Sequence, residues 1–156
     1  MAIEIERKYT LKNDNWRQHI QQSKAYRQGY LSGGPQSSVR VRIEDQLANI
    51  NIKSATLGIH RQEYEYAIPL SDAHELLNSL CAKPLIEKTR HFVTHQGKLW
   101  EIDEFHGDNA GLIVAEVELA SEDEHVDLPD WVDQEVSDDV RYYNVSLVKH
   151  PYKDWK

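Results

Sequence analysis

Along most of this chain apolar and polar residues alternate one by one, the period of a β-strand with one buried face. "MAIEIERKYT" sets Ile3 and Ile5 against Glu4, Glu6 and Lys8. "SVRVRIE" sets Val39, Val41 and Ile43 against Arg40 and Arg42, and "LANINIKS" sets Ile50 and Ile52 against Asn49, Asn51 and Lys53. "RQEYEYAIP" places Arg61, Glu63 and Glu65 opposite Tyr64 and Tyr66, and "LIVAEVELAS" places Glu116 and Glu118 opposite Ala115, Val117 and Leu119. "AYRQGYL", "LIEKTRHFV" with Lys88 and Arg90, and "KLWEIDEF" with Glu101 and Asp103 bring the predicted strands to about eight. Between them, "NDNWRQHIQQSK" predicts a short helix with Asn13 or Asp14 near its N-cap, and "SGGPQS" a turn. Pro69 ends a strand, and Ser71 is placed to cap a helix over "DAHELLNSLC". "SDDVRYYNVSLVKHP" predicts a terminal helix, and the acidic "SEDEHVDLPDW" before it a solvated connection. With no long repeat, low-complexity tract or linker, one domain over residues 1–156 is expected.

The polar faces depart from an ordinary wet surface, because charges of like sign recur at spacing two. Arg40 and Arg42, or Lys88 and Arg90, share a face; so do Glu4 and Glu6, Glu63 and Glu65, Glu101 and Asp103, or Glu116 and Glu118. Two carboxylates about 7 Å apart repel by roughly 2 kcal/mol at an effective dielectric near 20. A surface that served only solubility would mix signs along each strand. Rows segregated by sign make sense where they converge on a polyanion and its metal ions. The expected fold is therefore α+β: an eight-stranded antiparallel β-barrel with a charged interior and helices packed outside. An open sheet with a solvated charged face accounts for the alternation equally well.

Composition narrows the function classes. A 156-residue chain with 40% hydrophobic residues can bury a real core. Its net charge of −8 argues against a general nucleic-acid binder while leaving room for a local basic cavity. Cys81 is the single cysteine, so no intramolecular disulfide forms, in keeping with a reducing cytosol. No apolar run approaches about 18 residues and no signal-peptide profile opens the chain; a cytoplasmic protein without membrane contact is expected. Carboxylates are the hard ligands of Mg²⁺ or Mn²⁺, and arginine and lysine bind phosphate oxygens, so a cavity holding both suits a metal–polyphosphate complex. "SGGPQS" lacks the GK[ST] ending of a nucleotide-binding loop, and the histidines lack ligand spacing such as HExxH. Cys81, beside leucines, reads as buried rather than nucleophilic.

In order along the chain come "EIERKY", "RQGYL", "VRVR", "NIKS", "RQEYEY", "EKTRH", "WEIDEF", "AEVELASED" and "RYYNVSL". "EIERK" resembles the ExExK signature of the CYTH proteins, or triphosphate tunnel metalloenzymes, and the likeness spans nearly the whole chain. The resemblance implies an eight-stranded tunnel, open at both ends, that binds triphosphates with Mg²⁺ or Mn²⁺. It implies Glu4, Glu6 and Glu118, with Glu116 beside them, as ligands of the activating metal. Lys8, Arg40, Arg42, Lys53, Lys88 and Arg90 are the implied triphosphate cradle. Glu63 and Glu65 would serve a second metal or orient the attacking water, with Asp103 helping; Arg61 and Glu101 lie on the right faces. The terminal helix is expected to close one tunnel mouth. The short bacterial inorganic triphosphatases are the most similar members. Class IV adenylyl cyclases, thiamine or nucleoside triphosphatases, and a non-catalytic polyphosphate-binding protein are the alternatives on the same fold. Homodimers also fit the family, and no interface is legible in the sequence.

Overall fold

The computed structural model describes residues 3–155, so Met1 and Ala2 of the predicted first strand lie outside it. Nine strands follow one another: β1 (Ile3–Leu11), β2 (Gln22–Gly33), β3 (Ser37–Glu44), β4 (Leu47–Ser54), β5 (His60–Ala67), β6 (Ile86–His95), β7 (Lys98–Phe105), β8 (Ile113–Glu118) and β9 (Val132–Glu135). They pair in the order β5-β4-β3-β2-β6-β7-β8-β1-β9, and a further β5–β1 pairing closes eight of them into an antiparallel barrel. β9 is an added strand on β1. It follows the buried Trp131 and pairs Val132 with Leu11. The same edge of β1 thus serves two partners, β5 along Ile3–Ile5 and β9 along Tyr9–Leu11.

Three local readings differ from expectation. The predicted first helix is a 3₁₀ turn, Asn15–His19, because from Gln22 onward the chain is extended and pairs with β6, Gln22 opposite Phe92. Helix α1 (Leu70–Ser79) begins early enough that Ser71 lies inside it. Pro69 occupies the N-cap with extended backbone, and no side chain caps the helix. The terminal helix is split into a 3₁₀ turn (Val140–Tyr142) and α2 (Asn144–Lys149).

The outer wall is covered in two places. Helix α1 lays Ala73 and Leu77 on Val41, Ile43 and Ala48 of β3 and β4. Trp16 and Trp131 cover Val93, Trp100, Ile102, Ala115 and Val117 on the β6–β7–β8 wall. The third cluster is different in kind. Ile86, Phe105 and Val114 share strand parity with Lys88, Asp103 and Glu116, so they point into the barrel, and Leu147 of α2 packs on them fully buried. One end of the bore is therefore filled by apolar side chains, and α2 is a stopper there rather than a helix on the outside wall. The bore is closed at this end by the terminal helix, as expected of that helix, rather than open at both ends.

Candidate active site

Strand register decides what meets inside. The β6–β7 turn is closed by Gln96 and Gly97 with φ of 52° and 77°, the conformation of a tight two-residue hairpin that fixes the pairing of its strands. Arg90 consequently stands opposite Asp103. Around the wall, Lys8 faces Glu116, Glu4 faces Arg61, and Lys53 faces Glu63. Charges alike along each strand are thus opposed across strands, a stabilising cross-strand pairing. Three register pairs break the rule, the first being Lys24 facing Arg90 on the basic side. Glu6 faces Glu118, and Glu101 faces Glu116, so the β7–β8–β1 side of the bore is acidic. Arg40, Arg42, Lys88 and Arg90 make the β3 and β6 walls basic.

These side chains line one cavity of about 310 Å³. Glu4, Glu6, Lys8, Arg40, Arg42, Lys53, Arg61, Glu63, Glu65, Lys88, Arg90, Glu101, Glu116 and Glu118 all reach it. Of the residues singled out by sequence, Asp103 alone lies behind the lining. It is 2% exposed, with Lys88 Nζ and Arg90 Nε each 2.7 Å from its oxygens. Both oxygens are engaged by these two cations. Burial opposes its charge, but Arg90 and Lys88 outweigh it and hold its carboxyl below the usual range. Glu116 is similarly committed, at 3.2 Å from Lys8 Nζ and 3.0 Å from Arg90. Against its burial, Lys8 and Arg90 hold it well below the ordinary carboxylate range.

Glu6 and Glu4 are in a different condition. Burial, with Glu116 and Glu4 nearby, pushes Glu6 up to about 8. Glu4 Oε1 is buried without a hydrogen bond, although Lys53 Nζ lies 3.2 Å away. Strained, under-compensated oxygens in a polar cavity are what a divalent cation would relieve, and Glu4, Glu6 and Glu118 form a donor set of the right hardness. Among the described residues no three acidic, histidine or cysteine side chains already converge as a ready metal cage. Glu116's two ion pairs account for part of that.

On the basic side, Arg42 and Arg90 flank the Tyr26 ring, each guanidinium 4.9 Å from its centroid. Burial and the charges of Arg40 and Arg90 lower Arg42 to about 10, and burial with Arg90 and Arg42 lowers Lys88 to about 7 against the pull of Asp103. A dense, partly frustrated cation cluster is a site prepared for an anion. Arg40 Nε donates to Asn51, and Arg42 Nε to Gln28, both at 3.1 Å. Sequence reading missed Gln28, Tyr26, Lys24, Asn144 and the supporting role of Asn51. All but Asn144 carry the inward parity of their strands, which was the available signal. Asn144 arrives from outside the barrel with α2.

A closed antiparallel barrel with opposed acidic and basic inner walls defines the class of this protein. The chain belongs to the family of the CYTH domain, whose description matches residues 2–152. It is 44% identical over its full length, and over 99% of the relative, to an inorganic triphosphatase of Acetivibrio thermocellus. It is 36% identical over 126 residues to an inorganic triphosphatase of Nitrosomonas europaea, covering 78% of this chain and 82% of that one. A crystal structure of an inorganic triphosphatase superposes with a TM-score of 0.66 at 31% identity, covering 95% of both chains.

Proposed function

We propose that this protein hydrolyses inorganic triphosphate to pyrophosphate and phosphate with a bound divalent cation, Mg²⁺ or Mn²⁺. The observation that carries the reading is the two-sided cavity: an acidic wall on which Glu6 and Glu118 face each other, and a basic wall of Arg40, Arg42, Lys88 and Arg90. The names of the relatives, at 44% and 36% identity, support the same substrate.

Glu4, Glu6 and Glu118 would hold the cation, which supplies charge neutralisation on the phosphate oxygens. Arg40, Arg42, Lys53, Lys88 and Arg90 bind the triphosphate oxygens and draw off the negative charge that spreads as the bond breaks. Lys8, set between the two walls and paired with Glu116, serves both substrate and acid rows. Glu63 and Glu65 stay outside the acid pair positions, where Asn51 donates to Glu65 at 2.8 Å. They orient the attacking water, which adds directly to a terminal phosphorus as pyrophosphate leaves; no covalent intermediate is needed. The water's proton passes to a carboxylate of this pair.

The test is release of phosphate by the purified protein from triphosphate, ATP and thiamine triphosphate, each with Mg²⁺, Mn²⁺ or chelator, with cyclic AMP followed in parallel. Metal-dependent turnover selective for triphosphate is expected. Preferential ATP turnover or cyclic AMP would replace the substrate, and tight triphosphate binding without turnover would replace catalysis with binding.

A further inference from the structure

The blind end of the cavity is a polar wall as well as an apolar stopper. Tyr142 O lies 3.4 Å from Lys8 Nζ, and the Tyr143 ring lies 4.2 Å beneath the Arg61 guanidinium. Beyond them Asn144 Oδ1 accepts from Lys88 Nζ at 2.9 Å and from Gln28 Nε2 at 3.0 Å. Gln28 in turn accepts from Arg42 through its Oε1 at 3.1 Å. Arg42 is a donor only, so the Gln28 atom it meets is the oxygen, Gln28 presents its NH₂ to Asn144, and the Asn144 atom that receives it is the oxygen. The same choice gives Lys88 Nζ an oxygen to donate to, so the whole chain of contacts agrees on one orientation.

That orientation leaves the Asn144 NH₂. It has no hydrogen-bond partner among the described residues, while its residue lines the cavity beside Lys88. It is a neutral donor with two hydrogens, set among cations that would hold phosphate. Resting on the proposed triphosphate reading, we infer that Asn144 is a substrate-binding residue: its Nδ2–H donates to an oxygen of the terminal phosphate at the blind end, while its Oδ1 holds Lys88 in place. Because Leu147 and its apolar neighbours fill the space behind, the phosphate at this end has to be unesterified.

The discriminating variant is Asn144→Asp. It keeps an oxygen for Lys88 and Gln28 and replaces the NH₂ donor by a second, charged oxygen. If Asn144 only holds Lys88, this variant should serve as well as the parent. If Asn144 donates to phosphate, a lost donor and a new repulsion should raise KM for triphosphate by at least about tenfold. Melting temperature, measured alongside, reports whether the fold is kept. Asn144→Ser, a shorter hydroxyl donor without a charge, should recover part of the KM loss. The expected result is that ordering, Asn144→Asp weakest, with melting within a few degrees of the parent. Equal KM in the parent and Asn144→Asp would overturn the inference and leave the proposed activity standing. A parent protein that neither binds nor hydrolyses triphosphate would overturn the proposed activity, and this assignment with it.

Discussion

Glu6 on β1 and Glu118 on β8 are register partners on the inner face of the barrel, two carboxylates opposed where neighbouring pairs are opposite in charge. Replacing one of them therefore has two separable effects. In Glu6→Gln the metal-free protein loses a carboxyl that must either keep a proton or face Glu118 as a like charge, while the cation loses a ligand. Metal-dependent turnover should fall at least about tenfold, yet melting in chelator should not fall. A variant that melts early in chelator and keeps turnover would reverse both roles.

The position of Glu6 near 8 also sets a pH dependence. Below that value the metal-free carboxyl carries a proton that a cation must displace, so metal affinity should rise as pH increases from about 6 to 8. Calorimetric titration in buffers of different ionisation enthalpy should show proton release that shrinks above pH 8. Stability follows the same group with a definite sign. A carboxyl raised from 4.5 in the unfolded chain to about 8 in the folded one contributes most at low pH, and that contribution is lost as pH climbs through 8. Lys88, lowered to about 7, acts in the other direction above pH 7. The difference between parent and Glu6→Gln melts in chelator, taken at pH 6 and pH 8.5, isolates Glu6. A difference independent of pH would refute the assignment.

Asp103 makes a contrasting case. Removing it strands Lys88 and Arg90 in the interior, so Asp103→Ala should cost about 3–5 kcal/mol of unfolding free energy. The loss should be the same with chelator and with metal, read by denaturant unfolding. A loss confined to the metal-loaded protein would place Asp103 in the ligand set.

Arg42→Ala should weaken triphosphate binding by the value of a charge-assisted contact, about 1.5–3 kcal/mol or roughly 10- to 150-fold. The defect should appear mainly in KM, with Arg42→Lys recovering only part, since a point charge cannot reproduce the guanidinium lying on Tyr26. Unchanged KM would remove Arg42 from the cradle.

Most of this architecture was legible because its strands have one wet, charged face and one dry face, the condition under which period two is unambiguous. Arg40 and Arg42, or Glu116 and Glu118, announced both a strand and a site. The misread elements obey other rules. Val132–Glu135 forms a strand only because β1 offers it an edge beyond the reach of β5, and nothing within "VDQE" encodes that vacancy. Gln21 and Gln22 carried polar, helix-compatible side chains, and pairing to β6 overrode them. Asp103 had the inward parity read for it, but the ion pairs that engage its oxygens depend on the register of β6 against β7. Asn144 and Leu147 lie on a short helix whose role depends on where the barrel ends, which is a tertiary fact.

The pairing of Glu6 with Glu118 also has a consequence in time. The two residues are more than a hundred positions apart in the chain. During synthesis at roughly 5–20 residues per second, β1 leaves the ribosome on the order of 5–20 s before β8 can meet it. Until β5 emerges, with Arg61 to stand opposite Glu4, the first strand has no partner at all, and its β8 edge stays open through the whole interval. Its alternating glutamates then act as gatekeepers, keeping a nascent hydrophobic strand soluble and unattractive to other chains until the barrel can close. The carboxylates proposed to hold a cation in the finished protein protect the same strand while it waits.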